Sequence, residues 1–182
     1  MKKILSVVLT VAILFGIVAV GVSAQEAPDL GFAVASDLHY VCPEEELEEN
    51  ITYEEVFWHA NRRAELQNEA GFIIDEFLRQ CAEDDSCEFV LIPGDIVNDG
   101  RVIVQQHLDM AEKFEKFEKE TGKQIYVING NHDSAYNEGD FTQLDFKQTY
   151  YNFGWDEAIA TDDDSISYVV DLSDKYRLIA LD

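Results

Sequence analysis

Three short polar clusters, each directly after an apolar run with strand character, constrain how this chain can fold more than any other feature. They are Asp37–His39, Gly94–Asp95 and Gly130–Asp133. In open α/β folds, ligands bind at the carboxyl ends of the strands, where the loops of neighbouring strands lie together. We therefore expect the aspartate, histidine and asparagine side chains of these clusters to converge at one sheet edge. Such oxygen and nitrogen donors suit a pair of metal ions that polarise a phosphate ester.

The apolar patterns around the clusters predict an α/β fold with a mainly parallel sheet over the first half. Strands are predicted at residues 31–36, 89–92, 125–128, 167–171 and 176–181. Helices are predicted at residues 52–81, as one helix or as two, and at residues 103–120, from apolar residues three and four apart. The first strand should be buried on both faces, Gly122 should end the second helix, and the segment from 137 to 164 is loop-rich.

The first 24 residues have the features of a secretory signal peptide. Lys2 and Lys3 precede an apolar run from Ile4 to Val22, and small residues stand before Gln25. An uncleaved N-terminal anchor is the alternative, because an apolar run of this length can also span a bilayer. Either reading predicts a secreted or extracytoplasmic (cell-envelope) protein, with residues 25–182 as one domain.

The charge of the chain limits its partners. Its formal net charge is -24, which argues against a nucleic-acid or anionic-membrane surface. Membrane contact is expected only through an uncleaved N-terminal segment. The same acidity repels a phosphorylated substrate unless local cations reverse the field at the site, as bound metal ions would.

The cysteines leave two alternatives open. Cys81 and Cys87 lie close enough in sequence to close a small disulfide loop, or they and Cys42 are free thiols. No pair of cysteines has the spacing of a thiolate zinc site.

The order and surroundings of the clusters resemble the calcineurin-like metallophosphoesterase superfamily, and most closely its exported bacterial-type branch. The resemblance covers nearly all of residues 25–182. It is carried by residues Ser36–Tyr40, Pro93–Gly100, Val127–Asp133, Phe153–Ala158 and Ser165–Tyr168. The implied fold is an αββα sandwich of two mixed sheets flanked by helices.

The resemblance implies a site for two divalent metal ions, which could be Mn, Fe, Zn or Mg. Asp37 and His39 would hold the first ion, Asp95 would bridge both ions, and Asn131 would bind the second. The implied reaction is the hydrolysis of a phosphate mono- or diester in a small phosphorylated substrate, by a hydroxide held between the metals.

The resemblance also implies catalytic roles for the last two residues of the third cluster. His132 would stabilise or protonate the leaving oxygen, and Asp133 would orient His132. The alternative is a degenerate, non-catalytic extracytoplasmic binding protein that keeps the same fold. The substrate and the choice between monoester and diester stay open.

The chain departs from the family pattern at its C-terminal end. The later lone His and the Gly-His-x-His motif, which would complete both metal shells, do not occur in these 182 residues. The other histidines, His59 and His107, lie in predicted helices far from the clusters, and we interpret both as structural or surface residues. We expect the sequence to be the N-terminal part of a longer domain with its C-terminal portion missing, and inactive by itself.

Overall fold

The computed structural model describes residues 30–43, 69–135 and 141–182. Its strands are β1 (Phe32–Val34), β2 (Phe89–Pro93), β3 (Gln124–Ile128), β4 (Ala160–Thr161), β5 (Tyr168–Asp171) and β6 (Arg177–Ala180). Its helices are α1 (Ala70–Glu83), α2 (Val104–Thr121) and α3 (Gln143–Thr149). No helix in these ranges is long and apolar enough to cross a bilayer. The predicted signal segment, the predicted helical residues 52–68 and His59 lie outside the described residues.

The first sheet is parallel, as the sequence predicts. Its strand order is β1-β2-β3, with Val34 paired to Leu91 and Leu91 paired to Tyr126. Central strand β2 contributes Val90 and Ile92 to the core, where both are buried. Because all three strands run in the same direction, the loops that follow them lie at one edge of the sheet.

Strand β1 differs from its prediction. It covers three residues rather than six, and Phe32 and Val34 are 49% and 53% exposed. In a strand, alternate side chains point to opposite faces, so Phe32 and Val34 share a face that the described residues leave uncovered. The intervening Ala33 packs against the core. The prediction of burial on both faces is therefore wrong for the described part of the chain.

Helix α2 is amphipathic as predicted, but its buried face differs from the predicted one. The sequence places Leu108 on one apolar face with Phe114 and Phe117, whereas in the structure Leu108 is 49% exposed. Met110, Phe114 and Phe117 are buried on one face. Gly122 follows the helix with φ 72°, and its N–H donates to the Glu118 carbonyl at 2.7 Å. This left-handed conformation favours glycine, so the predicted helix end is correct.

The end of helix α1 is held by a lysine from a different part of the chain. Lys123 Nζ donates to the carbonyl oxygens of Cys81, Ala82 and Asp84 at 2.7, 3.1 and 2.8 Å. The last carbonyls of a helix have no partner within it, and a cation there also complements the helix dipole. Lys123 therefore ties the C-terminus of α1 to the start of β3.

The second sheet is antiparallel and has the order β4-β5-β6. The predicted hairpin at 167–181 is confirmed as β5 and β6, whereas β4 and helix α3 fall in the segment predicted to be loop-rich. A capping box marks the start of α3: the Thr142 side chain accepts from the Asp145 N–H, and Asp145 accepts from the Thr142 N–H. This Thr-x-x-Asp pattern is the sequence signal that could have revealed the helix.

The two sheets are joined through Tyr168, which is buried in β5. Its hydroxyl donates to the Val127 carbonyl of β3 at 2.7 Å. Two sheets with flanking helices confirm the predicted α/β sandwich class. Within the described residues the first sheet is entirely parallel and the second entirely antiparallel. The resemblance implies sheets that mix both strand directions.

Of the two alternatives for Cys81 and Cys87, a disulfide or free thiols, the structure has free thiols. Cys81 and Cys87 are free and buried, each about 5% exposed. Burial, followed by the neighbouring Cys87, raises the pKa of Cys81 to about 11. No disulfide closes the turn between α1 and β2.

Candidate metal centre

The loops after β1 and β2 continue side by side beyond the ends of their strands. The Asp37 N–H donates to the Gly94 carbonyl at 3.3 Å, and the His39 N–H donates to the Asp95 carbonyl at 3.1 Å. Farther on, Tyr40 forms a parallel bridge with Val97. This extended ladder brings the first two polar clusters together, as predicted from their positions at strand ends.

The backbone of these loops is unusual at the candidate ligands. Asp37, His39 and Asp95 have φ values of 57°, 45° and 50°, and within the described ranges they are the non-glycine residues with positive φ. Non-glycine residues in this conformation cost about 1–3 kcal/mol each and cluster at functional sites. Within the part of the chain that the structure describes, backbone strain of this kind is therefore concentrated at three residues whose side chains can bind a metal.

The three side chains form a compact donor set. His39 Nε2 lies 3.9 Å from Asp37 Oδ1 and 4.0 Å from Asp95 Oδ2. The potential ligand atoms all lie within 4.8 Å of one another, which holds for no other group of His, Cys, Asp or Glu found among the described residues. Ligand atoms bound about 2 Å from one ion lie within about 4 Å of each other. The set fits a divalent cation.

The third cluster, Gly130–Asp133, contacts the same site through a backbone N–H group. The His132 N–H donates to Asp95 Oδ1 at 2.9 Å. The ring of His132 meets the ring of His39 edge to face, with centroids 4.7 Å apart. The two carboxylate oxygens of Asp95 thus face different neighbours, since Oδ2 lies toward His39 and Oδ1 lies toward the Gly130–Asp133 turn.

The residue that orients His132 is not the predicted one. His132 Nδ1 lies 2.6 Å from the Asn98 carbonyl oxygen, which can only accept, so Nδ1 carries a proton and Nε2 is left for other partners. Asp133 instead accepts from the N–H groups of Val97 and Gly130 at 3.0 and 2.8 Å. The Asp133 carboxylate therefore binds backbone N–H groups. The predicted contact between Asp133 and the His132 ring is wrong.

Asp133 connects two loops by hydrogen bonds. It is fully buried, and burial raises its pKa to about 6, with Asp95 adding a smaller contribution in the same direction. Its two backbone hydrogen bonds connect the Gly130–Asp133 turn to the segment that follows Asp95. Asn131, the expected ligand of a second ion, is exposed on this turn, and its role stays a prediction.

His107 lies much closer to the site than its sequence position suggests. The structure places its ring against the turn, with Nε2 at 2.8 Å from the Asp133 carbonyl oxygen. The expectation that it lies far from the clusters is wrong, and its complete burial excludes the surface alternative. His107 shares the apolar face of α2 with Met110 and Phe114, and that spacing is the signal that places it inside.

Comparison with known proteins supports the same interpretation. The family model described as calcineurin-like phosphoesterase matches residues 30–180, a range that contains all three polar clusters. None of the curated proteins compared with the chain matches it.

Proposed function

This chain belongs to the calcineurin-like phosphoesterase family, and from that premise we propose that it hydrolyses a phosphate mono- or diester with two divalent metal ions. The observation that carries the proposal is the donor set of Asp37, His39 and Asp95 on strained backbone. When bound, the metal ions would polarise the phosphate and generate a nucleophile at neutral pH. The ion identity is open among Mn, Fe, Zn and Mg.

The proposed division of ligands follows the geometry of Asp95. Asp37 and His39 lie on the side of Asp95 Oδ2, so we assign the first ion to these three residues. Asp95 Oδ1 lies toward the turn that contains Asn131. This arrangement favours Asp95 as the bridging ligand and Asn131 as a ligand of the second ion.

His132 is the proposed proton donor to the leaving oxygen. The Nδ1 proton is donated to the Asn98 carbonyl, so the doubly protonated ring would carry the transferable proton on Nε2. The ring lies next to His39, which places it beside the proposed metal ligands without making it one of them. General acid assistance of this kind is worth about 10²–10⁴-fold in rate.

We further propose that the protein is exported, as the residues before Gln25 predict. Those residues lie outside the described ranges, so the proposal depends on their sequence alone. Sequencing the N-terminus of the protein recovered from the cell envelope or medium tests it. A mature chain that starts at Gln25 is expected, and a protein that stays in the cytoplasm would contradict export.

The test of the function compares two neighbouring residues of one turn in the full-length protein. After chelation and addition of Mn²⁺, hydrolysis of an aryl phosphate and of a bis-aryl phosphodiester is measured together with bound metal. His132→Ala should lower kcat about 10²–10⁴-fold with metal content near wild type, and less for good leaving groups. Asn131→Ala should instead lower the metal content.

Two results would contradict these assignments. If His132→Ala releases the metals, His132 is a ligand and not the proton donor. If the wild-type protein hydrolyses neither substrate class and binds no metal, the non-catalytic alternative replaces the proposed activity.

A further inference from the structure

His107 is a polar residue held inside an otherwise apolar core. Its ring is fully buried and stacks on Phe141, with centroids 4.2 Å apart and planes 11° from parallel. Both ring nitrogens have partners, because Nε2 lies 2.8 Å from the Asp133 carbonyl oxygen and Nδ1 lies 3.0 Å from the Tyr150 hydroxyl. A buried polar group is tolerated only when it is hydrogen-bonded in this way.

The partners fix a single protonation form of the ring. The Asp133 carbonyl can only accept, so His107 Nε2 carries the proton and donates it. His107 Nδ1 must then accept, and the Tyr150 hydroxyl donates to it at 3.0 Å in preference to the His107 carbonyl oxygen at 3.4 Å. Burial lowers the pKa of His107 to about 4, so the ring is neutral near pH 7. The result is a directed chain of hydrogen bonds from Tyr150 through His107 to Asp133.

This chain of hydrogen bonds ends on the turn that presents His132. On its other side, the turn is held by the His132 N–H, which donates to Asp95 Oδ1, and by the Gly100 N–H, which donates to the His132 carbonyl at 3.1 Å. Gly100 also leaves the space that the contact needs. A methyl group on Gly100 would overlap His107 Nε2 and lie 2.7 Å from the Asp133 carbonyl oxygen.

We propose that His107, fixed by Tyr150, is a positioning residue that holds the Gly130–Asp133 turn so that the His132 ring keeps its bond to the Asn98 carbonyl. The inference rests on the proposed function for the catalytic role of His132, whereas the orientation of the ring stands independently of it. His107 acts through the Asp133 peptide and touches no reacting group.

The experiment uses a matched pair of amides at position 107 of the full-length protein. The Gln amide nitrogen of His107→Gln reaches about as far as Nε2 and can still donate to the Asp133 carbonyl. The shorter amide of His107→Asn stops near the Nδ1 position and cannot. A second pair, Tyr150→Phe and Tyr168→Phe, removes one buried hydroxyl each, but only Tyr150 contacts His107.

The first readout needs no activity. In ¹⁵N-histidine spectra, wild type should show His132 protonated at Nδ1, and His107→Gln and Tyr168→Phe should keep that signature. His107→Asn should convert His132 to a mixture of tautomers, and Tyr150→Phe should do so to a lesser extent. An unchanged His132 signature in His107→Asn, or equal changes in the two tyrosine variants, would overturn the proposal.

The second readout is a double-mutant cycle on kcat with Mn²⁺. His107→Asn should lower kcat about 10- to 100-fold, the usual effect of removing a supporting partner. Combined with His132→Ala, it should lower kcat little further, because both changes remove the same contribution. Full additivity would mean that His107 does not act through His132. A protein without phosphoesterase activity would refute the proposed function and leave the spectroscopic result to decide the positioning role.

Discussion

Asp95→Asn should weaken metal binding far more than Asp37→Asn, although the two changes are chemically identical. Both carboxylates lie about equally far from His39 Nε2, at 4.0 and 3.9 Å. Their surroundings differ, because the Asp95 side chain is 14% exposed and the Asp37 side chain is 65% exposed. Water screens Asp37, whereas Asp95 acts in a medium of lower effective dielectric constant.

The exposed fractions of the two carboxylates determine the expected difference in Mn²⁺ affinity between the two variants. A bound carboxylate oxygen lies about 2 Å from its ion, so a separation of about 4 Å gives a conservative estimate. Two unit charges 4 Å apart interact by about 4 kcal/mol at an effective dielectric constant of 20, and by about 1 kcal/mol in water. The difference of about 3 kcal/mol corresponds to about 100-fold in affinity. The double charge of the cation increases this value and the desolvation of Asp95 decreases it. We therefore expect Asp95→Asn to lose about 100-fold more Mn²⁺ affinity than Asp37→Asn.

The assay is a Mn²⁺ titration of the chelated full-length protein, with free Mn²⁺ followed by electron paramagnetic resonance. Asp75→Asn controls for the loss of one negative charge at a site away from the donor set, since Asp75 is exposed and pairs with Lys113. The amide oxygen of Asp95→Asn can still accept from the His132 N–H, so thermal unfolding without metal should change little. Equal losses in the Asp37 and Asp95 variants would refute the reasoning.

Three further predictions concern stability and thiol chemistry. Lys123→Met should lower the free energy of unfolding in urea by about 1–2 kcal/mol, because the end of α1 loses its charged donor; an unchanged value would contradict this capping role. The folded pKa of His107, about 4, lies below its unfolded value of about 6.5, so its contribution to stability is present above pH 6.5. That contribution, up to about 3 kcal/mol, should be lost as the pH falls from 6.5 to 4, and His107→Gln should lack this dependence; parallel pH profiles would refute it. Cys81 and Cys87 should be alkylated only after denaturation, and a Cys81–Cys87 disulfide peptide in an unreduced digest would contradict the free thiols.

The positions of the candidate ligands could be predicted because strand direction fixes where loops lie. An apolar run followed by a polar cluster identifies a strand end, and parallel strands bring such ends to one edge. Asp37, His39 and Asp95 converge for this reason alone. The position of the candidate metal site therefore followed from the order of residue types, without any knowledge of side-chain conformation.

The supporting contacts could not be predicted because they depend on backbone groups, which every residue has. The Asn98 carbonyl binds His132, and Asp133 binds two backbone N–H groups, yet the sequence shows only an asparagine and an aspartate. His107 lies 26 residues before Asp133 and 43 before Tyr150, so no local pattern joins them. The exposure of Phe32 was missed for a related reason, since burial depends on what packs against a strand.

The strained backbone at the metal centre bears on how selection has acted on this chain. At Asp37, His39 and Asp95, glycine would remove the steric cost of a positive φ, so a chain selected for stability alone would drift toward glycine there. Each replacement would relieve part of the usual cost of about 1–3 kcal/mol, offset by the greater conformational freedom that glycine gives the unfolded chain. Among the described residues, the non-glycine positions with positive φ instead carry an aspartate, a histidine and an aspartate, which is the cost in stability that the proposed metal-dependent activity would require.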